Sequence, residues 1–141
     1  MVAREGTSVT GGDVGGTAAP GARGDLFSPA CPTRLLLDRL GTKWTSMVVK
    51  LLAEVHPGER RFSELRRGMP GVSQKMLSRT LQGLTADGLV RRRVEDSVPP
   101  SVHYALTPLG RSLDEPLGAL RAWAEEHMAE IDRTRRGGTR A

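Results

Sequence analysis

The chain has 141 residues, one cysteine, a formal net charge of +5 and a sequence pI near 10.3. That length holds one domain with a modest core, and a single cysteine excludes an intrachain disulfide framework. The opening MVAREGTSVTGGDVGGTAAPGARG lacks the apolar stretch of a signal peptide, and no apolar run nears the roughly 18 residues of a membrane span, so a cytoplasmic protein without a membrane partner is expected.

Residues 1–27 are rich in Gly, Ala, Thr and Ser and poor in large apolar side chains, so they are expected to form a flexible tail. Within them GGDVGGT has no strand before it and no helical pattern after it, which argues against a phosphate-cradling loop. Residues 28–131 carry dense structural signals. Pro32 opens a helix running to about Leu40, with Leu35, Leu36 and Leu40 on one face and Gly41 as its breaker. Thr42 caps a second helix whose apolar residues are Trp44, Met47, Val48, Leu51 and Leu52. The turn at His56 to Glu59 leads to a short strand over Arg60 to Phe62, and Ser63 is expected to cap a short helix ended by Gly68 and Pro70. Ser73 caps the next helix, in which Leu77, Leu81 and Leu84 recur at helical spacing before Gly88 closes it.

After Gly88 the apolar period changes from helical to alternating. Val90, Arg92 and Val94 form one strand, Val102, Tyr104 and Leu106 the returning one, and the two prolines of EDSVPP belong at the hairpin tip. Thr107 and Pro108 start a long final helix with an apolar stripe through Leu109, Leu113, Leu117, Leu120, Trp123 or Ala124, Met128 and Ile131. Pro116 should kink or break it, and residues 132–141 are expected to be a basic mobile tail. The predicted fold is mainly α with a small β-hairpin wing. A short helix, a tight turn, a polar-faced helix and a hairpin make a winged helix-turn-helix.

The positive charge is concentrated. From Glu59 to Arg93 there are nine Lys or Arg and three Asp or Glu, a net of +6, which leaves −1 for the rest of the chain. Such a segment suits a polyanion, here double-stranded DNA. Lys75, Ser78, Arg79 and Gln82 fall roughly opposite the leucine stripe, with Ser73 and Gln74 at the entering end. Gln pairs with adenine and Arg with guanine in bidentate fashion, and no carboxylate on that face would repel phosphate. An ordinary solvated helix face is the plainer reading. What weighs against it is the company of Arg61, Arg66 and Arg67 before the helix and Arg91, Arg92 and Arg93 after it. In a strand Arg91 and Arg93 share one side and Arg92 joins Val90 and Val94. One arginine of the run is therefore expected at the DNA backbone or minor groove, and another in a structural pair with a carboxylate such as Glu95.

The stretches CPTRLLLDRLGTKW, RRFSELRRGMPGVSQKMLSRTLQGLTADGLV and VPPSVHYALTPLGRSL together resemble the HxlR-type winged helix-turn-helix regulators, relatives of the MarR group, over about Cys31 to Trp123. The resemblance implies a homodimeric transcription factor on a pseudo-palindromic operator, with the first and last helices as the dimer interface. The helix over Ser73 to Asp87 would enter the major groove, and the hairpin over Val90 to Leu106 would be the wing. Two positions depart from that pattern: Ser101 stands where a basic residue is common, and His103 where an acid is. They put a wing-tip phosphate contact and a wing salt bridge in question. Members with a cysteine near Cys31 include sensors of oxidants and electrophiles, and a helix start lowers a thiol's pKa. Cys31 is thus a candidate thiol sensor, against the alternative of a small, partly buried residue.

An enzyme is not expected. His56, His103 and His127 are far apart with no metal-ligand spacing, and no P-loop, nucleophile elbow or dinucleotide fingerprint occurs, so no cofactor or metal is expected either. Trp44 and Trp123, among leucines at helical spacing, point to core or dimer packing rather than a ligand cage. The sequence favours a homodimeric, sequence-specific regulator, a repressor rather than an activator, whose small-molecule or oxidant effector is unidentified. A winged-helix module that binds protein rather than specific DNA is the alternative.

Overall fold

The computed structural model describes residues 25–140, apart from the side chains of Thr139 and Arg140. The GGDVGGT segment and most of the expected N-terminal tail lie outside the described residues. The chain divides into two compact units at the Gly41–Thr42 junction.

In the first unit, turns from Asp25 lead into α1, Pro32–Leu40. Pro32 occupies the first helical position, where its missing N–H costs nothing. Cys31 is the extended N-cap residue, is fully buried, and its carbonyl accepts from Leu35 N–H at 3.1 Å. Gly41 N–H returns to the Leu37 carbonyl at 2.8 Å and ends the helix where the sequence places the breaker. Leu35 and Leu37 are each about half exposed.

The second unit begins with α2, Lys43–Ala53, capped by Thr42, whose Oγ1 accepts from Thr45 N–H at 3.1 Å. Its buried residues are Thr45, Val48, Val49 and Leu52, while Trp44, Met47 and Leu51 are only partly buried. The core face is thus rotated from the one expected, because α2 lies against the last helix, the helix over Gln74–Ala86 and the sheet together. Next come β1, Arg60–Arg61, and α3, Phe62–Arg67. The expected cap at Ser63 is corrected: Arg61 is the N-cap, and Glu64 Oε1 accepts from its backbone N–H at 2.7 Å. Glu64 reaching back over one turn starts the helix at Phe62 and leaves the strand only two residues.

Then follow α4, Gln74–Ala86; β2, Val90–Glu95; β3, Ser101–Leu106; and α5, Pro108–Arg140. The three strands form an antiparallel sheet in the order β1-β3-β2, with Arg60 opposite Tyr104, Arg92 opposite Tyr104 and Val90 opposite Leu106. Val48, Val49, Leu52, Leu65, Met69, Leu77, Leu81 and Leu106 are almost wholly withdrawn from water. Each such side chain contributes about 1.5–3 kcal/mol of burial.

Thr107 caps α5 as expected, its Oγ1 accepting from Gly110 N–H at 3.1 Å and donating to the Gly88 carbonyl at 2.6 Å. Pro116 does not interrupt α5, and the helix also runs through residues 132–140, beyond its expected end near Ile131. An ion pair between Asp132 and Arg136, one turn apart, supports that extension.

Candidate nucleic-acid interface

Leu77, Leu81 and Leu84 are the buried residues of α4, which packs through them against α2 and β2. Ser73 Oγ accepts from Met76 N–H at 3.0 Å and fixes where the helix begins. The first turn carries no acid, so its partial positive charge is unopposed. The opposite face is open: Ser73, Gln74, Lys75, Arg79 and Gln82 are exposed and Ser78 is partly buried. No ion pair engages Lys75 or Arg79 among the described residues. Arg66 and Arg67 in α3 and the Arg61 side chain are likewise exposed with no ion pair among those residues.

Gly88, at φ +76°, ends α4 by a left-handed turn that glycine adopts without strain, and Leu89 N–H bonds back to the Leu84 carbonyl at 2.9 Å. The chain then enters the hairpin. Only Val90 of β2 is buried; Val94 is half exposed despite its place in the alternation, and Val98 near the tip is fully exposed. The distal hairpin extends past the core, so period-2 patterning there no longer means burial.

The three arginines of β2 have different surroundings. Arg93 is bound by Glu59, with Nη2 at 2.8 Å from Oε1 and Nε at 2.9 Å from Oε2. Arg91 is 3.9 Å from the same carboxylate. Hydrogen bonding from Arg93, then the charges of Arg93, His103 and Arg91, hold the Glu59 carboxyl below its ordinary value against some opposing desolvation. The Arg93 guanidinium is in turn raised, chiefly by its bond to Glu59. Arg92 lies on the other side of the sheet, exposed, beside Tyr104 and the far half of α4, with no ion pair among the described residues. The structural carboxylate is therefore Glu59 first; Glu95 is 3.9 Å from Arg93. His103 does join a polar cluster on the wing: its Nε2 is 2.9 Å from Glu95 and its Nδ1 3.8 Å from Glu59.

Sequence reasoning missed three of these placements. Glu59 lies in a turn with nothing local to mark it as the partner of an arginine 34 residues away. Arg60, counted in the basic segment, is committed to the C-terminal end of α2, where its Nε donates to the Leu51 carbonyl at 2.8 Å and its Nη2 pairs with Glu54 at 3.2 Å. The sequence places Tyr104 in the returning strand but does not show it as a neighbour of α4 and Arg92. The alternation of β2 was the available signal, since it separates Arg92 from Arg91 and Arg93.

A capped, polar-faced helix after a short helix, followed by a hairpin, is a winged helix-turn-helix. The profile of the HxlR-like helix-turn-helix family matches residues 39–132. The chain belongs to the HxlR-like helix-turn-helix family. It is similar to the HTH-type transcriptional regulator YtfH of Escherichia coli strain K12, 42% identical over 108 residues that cover 77% of this chain and 83% of YtfH. Among solved structures it is similar to a transcriptional regulator, ytfH from Salmonella typhimurium, 38% identical with a TM-score of 0.74 over 81% of this chain and 99% of that one. The redox regulator HypR in its oxidized form is 38% identical, with a TM-score of 0.59 over 68% of this chain and 96% of HypR. This HxlR-like chain is thus a helix-turn-helix transcriptional regulator. No helix among its described residues is long and apolar enough to cross a membrane.

Proposed function

We propose that the protein is a homodimeric repressor that reads a pseudo-palindromic operator, with α4 in the major groove and the hairpin on the adjoining backbone or minor groove. The observation that carries this reading is the outer face of α4: Gln74, Lys75, Arg79 and Gln82 stand exposed and acid-free, opposite three buried leucines. Gln74, Arg79 and Gln82 have the donor and acceptor geometry for base edges. Ser73, Lys75 and Ser78 serve phosphates or bases, and Arg61, Arg66, Arg67, Arg91 and Arg92 supply cations around them. Arg93 is the least available of the set, being held by Glu59. The dimer is supported by the large side chains left in water on α1 and α5: Leu35, Leu37, Leu109, Leu120, Trp123, Met128 and Ile131. Footprinting on the DNA beside the protein's own coding region tests the reading. An inverted repeat with half-site centres about one helical turn apart, or a small multiple, is the expected result. Equal protection of unrelated duplexes would reject specific recognition in favour of a protein-binding winged helix.

Control by oxidants through Cys31 is the finer part of the proposal. Its support is the place of Cys31 at the start of α1 and the likeness to HypR, whose description is that of a redox regulator. The thiol is fully buried, so an oxidant reaches it only when the start of α1 opens. Cys31→Ser should bind the operator as the native chain does while losing release by diamide; unchanged release removes Cys31 from the mechanism.

A further inference from the structure

On the face of the sheet turned away from Tyr104 and Arg92, the antiparallel register sets His103 opposite both Arg61 and Arg93. Arg91 and Glu95, two positions to either side of Arg93, share that face. Glu59, in the turn before β1, completes the group through its bonds from Arg93. His103 lies between the two carboxylates, with Nε2 2.9 Å from Glu95 Oε1 and Nδ1 3.8 Å from Glu59 Oε1. The same Glu59 oxygen accepts from Arg93 Nη2 at 2.8 Å. Glu64 of α3 is committed to the Arg61 backbone N–H. Among the described residues no ion pair joins His103 to a charged group of α2, α3 or α5.

With a neutral imidazole, the charges of Glu59 and Glu95 are balanced by those of Arg91 and Arg93. This cluster then offers phosphate no net charge. Histidine ordinarily changes charge between pH 5 and 8, where carboxylates and guanidinium groups keep theirs. Glu59 is moreover held below its ordinary value, first by its bond from Arg93. A protonated ring donates from both nitrogens. Its Nδ1–H then competes with Arg93 for Glu59 Oε1, and two carboxylates are divided among three cations. The contest is uneven. The His103 and Glu59 side chains are 14% and 23% exposed, against 48% for Arg93. Water and salt screen the inner pair less, whereas Arg93 has room to swing outward.

We infer that His103 is a positioning residue for DNA: its protonation frees Arg93 from Glu59 and leaves the wing one positive charge richer towards phosphate. The inference rests on the DNA-binding function proposed above. A duplex that draws Arg93 outward favours the protonated ring by the same factor as the proton favours the duplex. Affinity therefore rises as pH falls from 8 to 6.

Two measurements on the full chain test this. Without DNA, nuclear magnetic resonance follows the His103 ring and the Arg93 Nε–H through the same pH titration. The Arg93 signal should move with the midpoint of the imidazole, and should not do so in His103→Gln, whose amide cannot take the charge. An Arg93 signal unmoved while His103 titrates would overturn the exchange. Fluorescence anisotropy at pH 6 and pH 8 then reads binding, and because the contact is with phosphate a labelled mixed-sequence duplex at low salt serves. The native chain should bind roughly tenfold tighter at pH 6, the gain typical of one charged hydrogen-bonding partner. Its log–log salt dependence should be steeper there by about one unit. His103→Gln should show one affinity and one salt slope at both pH values, with His103→Asn in its place if the glutamine variant fails to fold. His56→Gln and His127→Gln should keep the pH dependence. Equal native affinity at the two pH values, or a dependence that survives in His103→Gln, would overturn the role of His103 in binding. A chain that holds no duplex at either pH refutes the DNA-binding reading, and the DNA-free titration still decides whether His103 governs Arg93.

Discussion

At the residue scale, Glu59 and Arg93 meet through bonds of 2.8 and 2.9 Å, with Arg91 and His103 close by. This carboxylate neutralises part of the positive charge that the sequence concentrates between Glu59 and Arg93. Glu59→Gln should release Arg93 for phosphate, which would steepen the salt dependence of DNA binding by about one unit in a log–log plot. The variant should also change acid stability. Because the Glu59 carboxyl is held below its ordinary value of 4.5, its contribution is present above the unfolded-state pKa and is lost as pH falls through the lowered folded value. The native melting temperature should thus fall more steeply than that of Glu59→Gln on acidification below about pH 4.5; parallel curves would show that the pair has no net effect on stability. On the α4 face, Gln74→Ala and Arg79→Ala should each relax preference at one operator position by about 1–3 kcal/mol. Uniform weakening on random duplexes would mark them as backbone contacts. The residue types on this face were legible from sequence, because polarity opposite a leucine stripe follows from helical geometry alone. The commitment of Arg93 was not, since its partner is distant along the chain.

At the element scale, α4 and α5 are tied together where one ends and the other begins. Thr107 N–H bonds to the Leu89 carbonyl at 3.1 Å, and its side chain joins Gly88 to Gly110. Gly110 passes so close to Leu89 that an added Cβ would stand 1.9 Å from the Leu89 carbonyl oxygen. Gly110→Ala should therefore destabilise the protein by about 3 kcal/mol, measured by urea denaturation, because backbone must move to make room. Further along α5, Arg121 reaches Ser46 Oγ at 2.8 Å and Asp114 at 3.0 Å, fastening this helix to α2. Arg121→Ala should cost about 1–2 kcal/mol in the same measurement. The caps at Thr42, Ser73 and Thr107 were readable because a cap depends on residues two or three positions away. The start of α3 was misplaced at Ser63 because Glu64, a residue of the helix itself, sets the boundary from within. The close approach at Gly110 has no local signature: its need for glycine comes from a carbonyl in another element.

For the whole molecule, the large apolar side chains in water on α1 and α5 make self-association the proposal on which operator symmetry depends. Leu120→Asp, at an exposed position, should leave the fold intact and shift sedimentation at micromolar concentration from dimer to monomer. Operator affinity should fall with it, since each half-site would then be bound singly. A native chain that sediments as a monomer would refute both the interface and the palindromic operator. Element order, the caps at Thr42, Ser73 and Thr107, the hairpin and the location of the basic segment were determined by the sequence by itself, because each depends on neighbours a few residues apart and on the helical or strand period. Tertiary structure alone decided which cations are spent and which are open. Sheet pairing brings Glu59 to Arg93 and turns Arg92 towards α4, and a charge's availability depends on what lies beside it in space rather than along the chain.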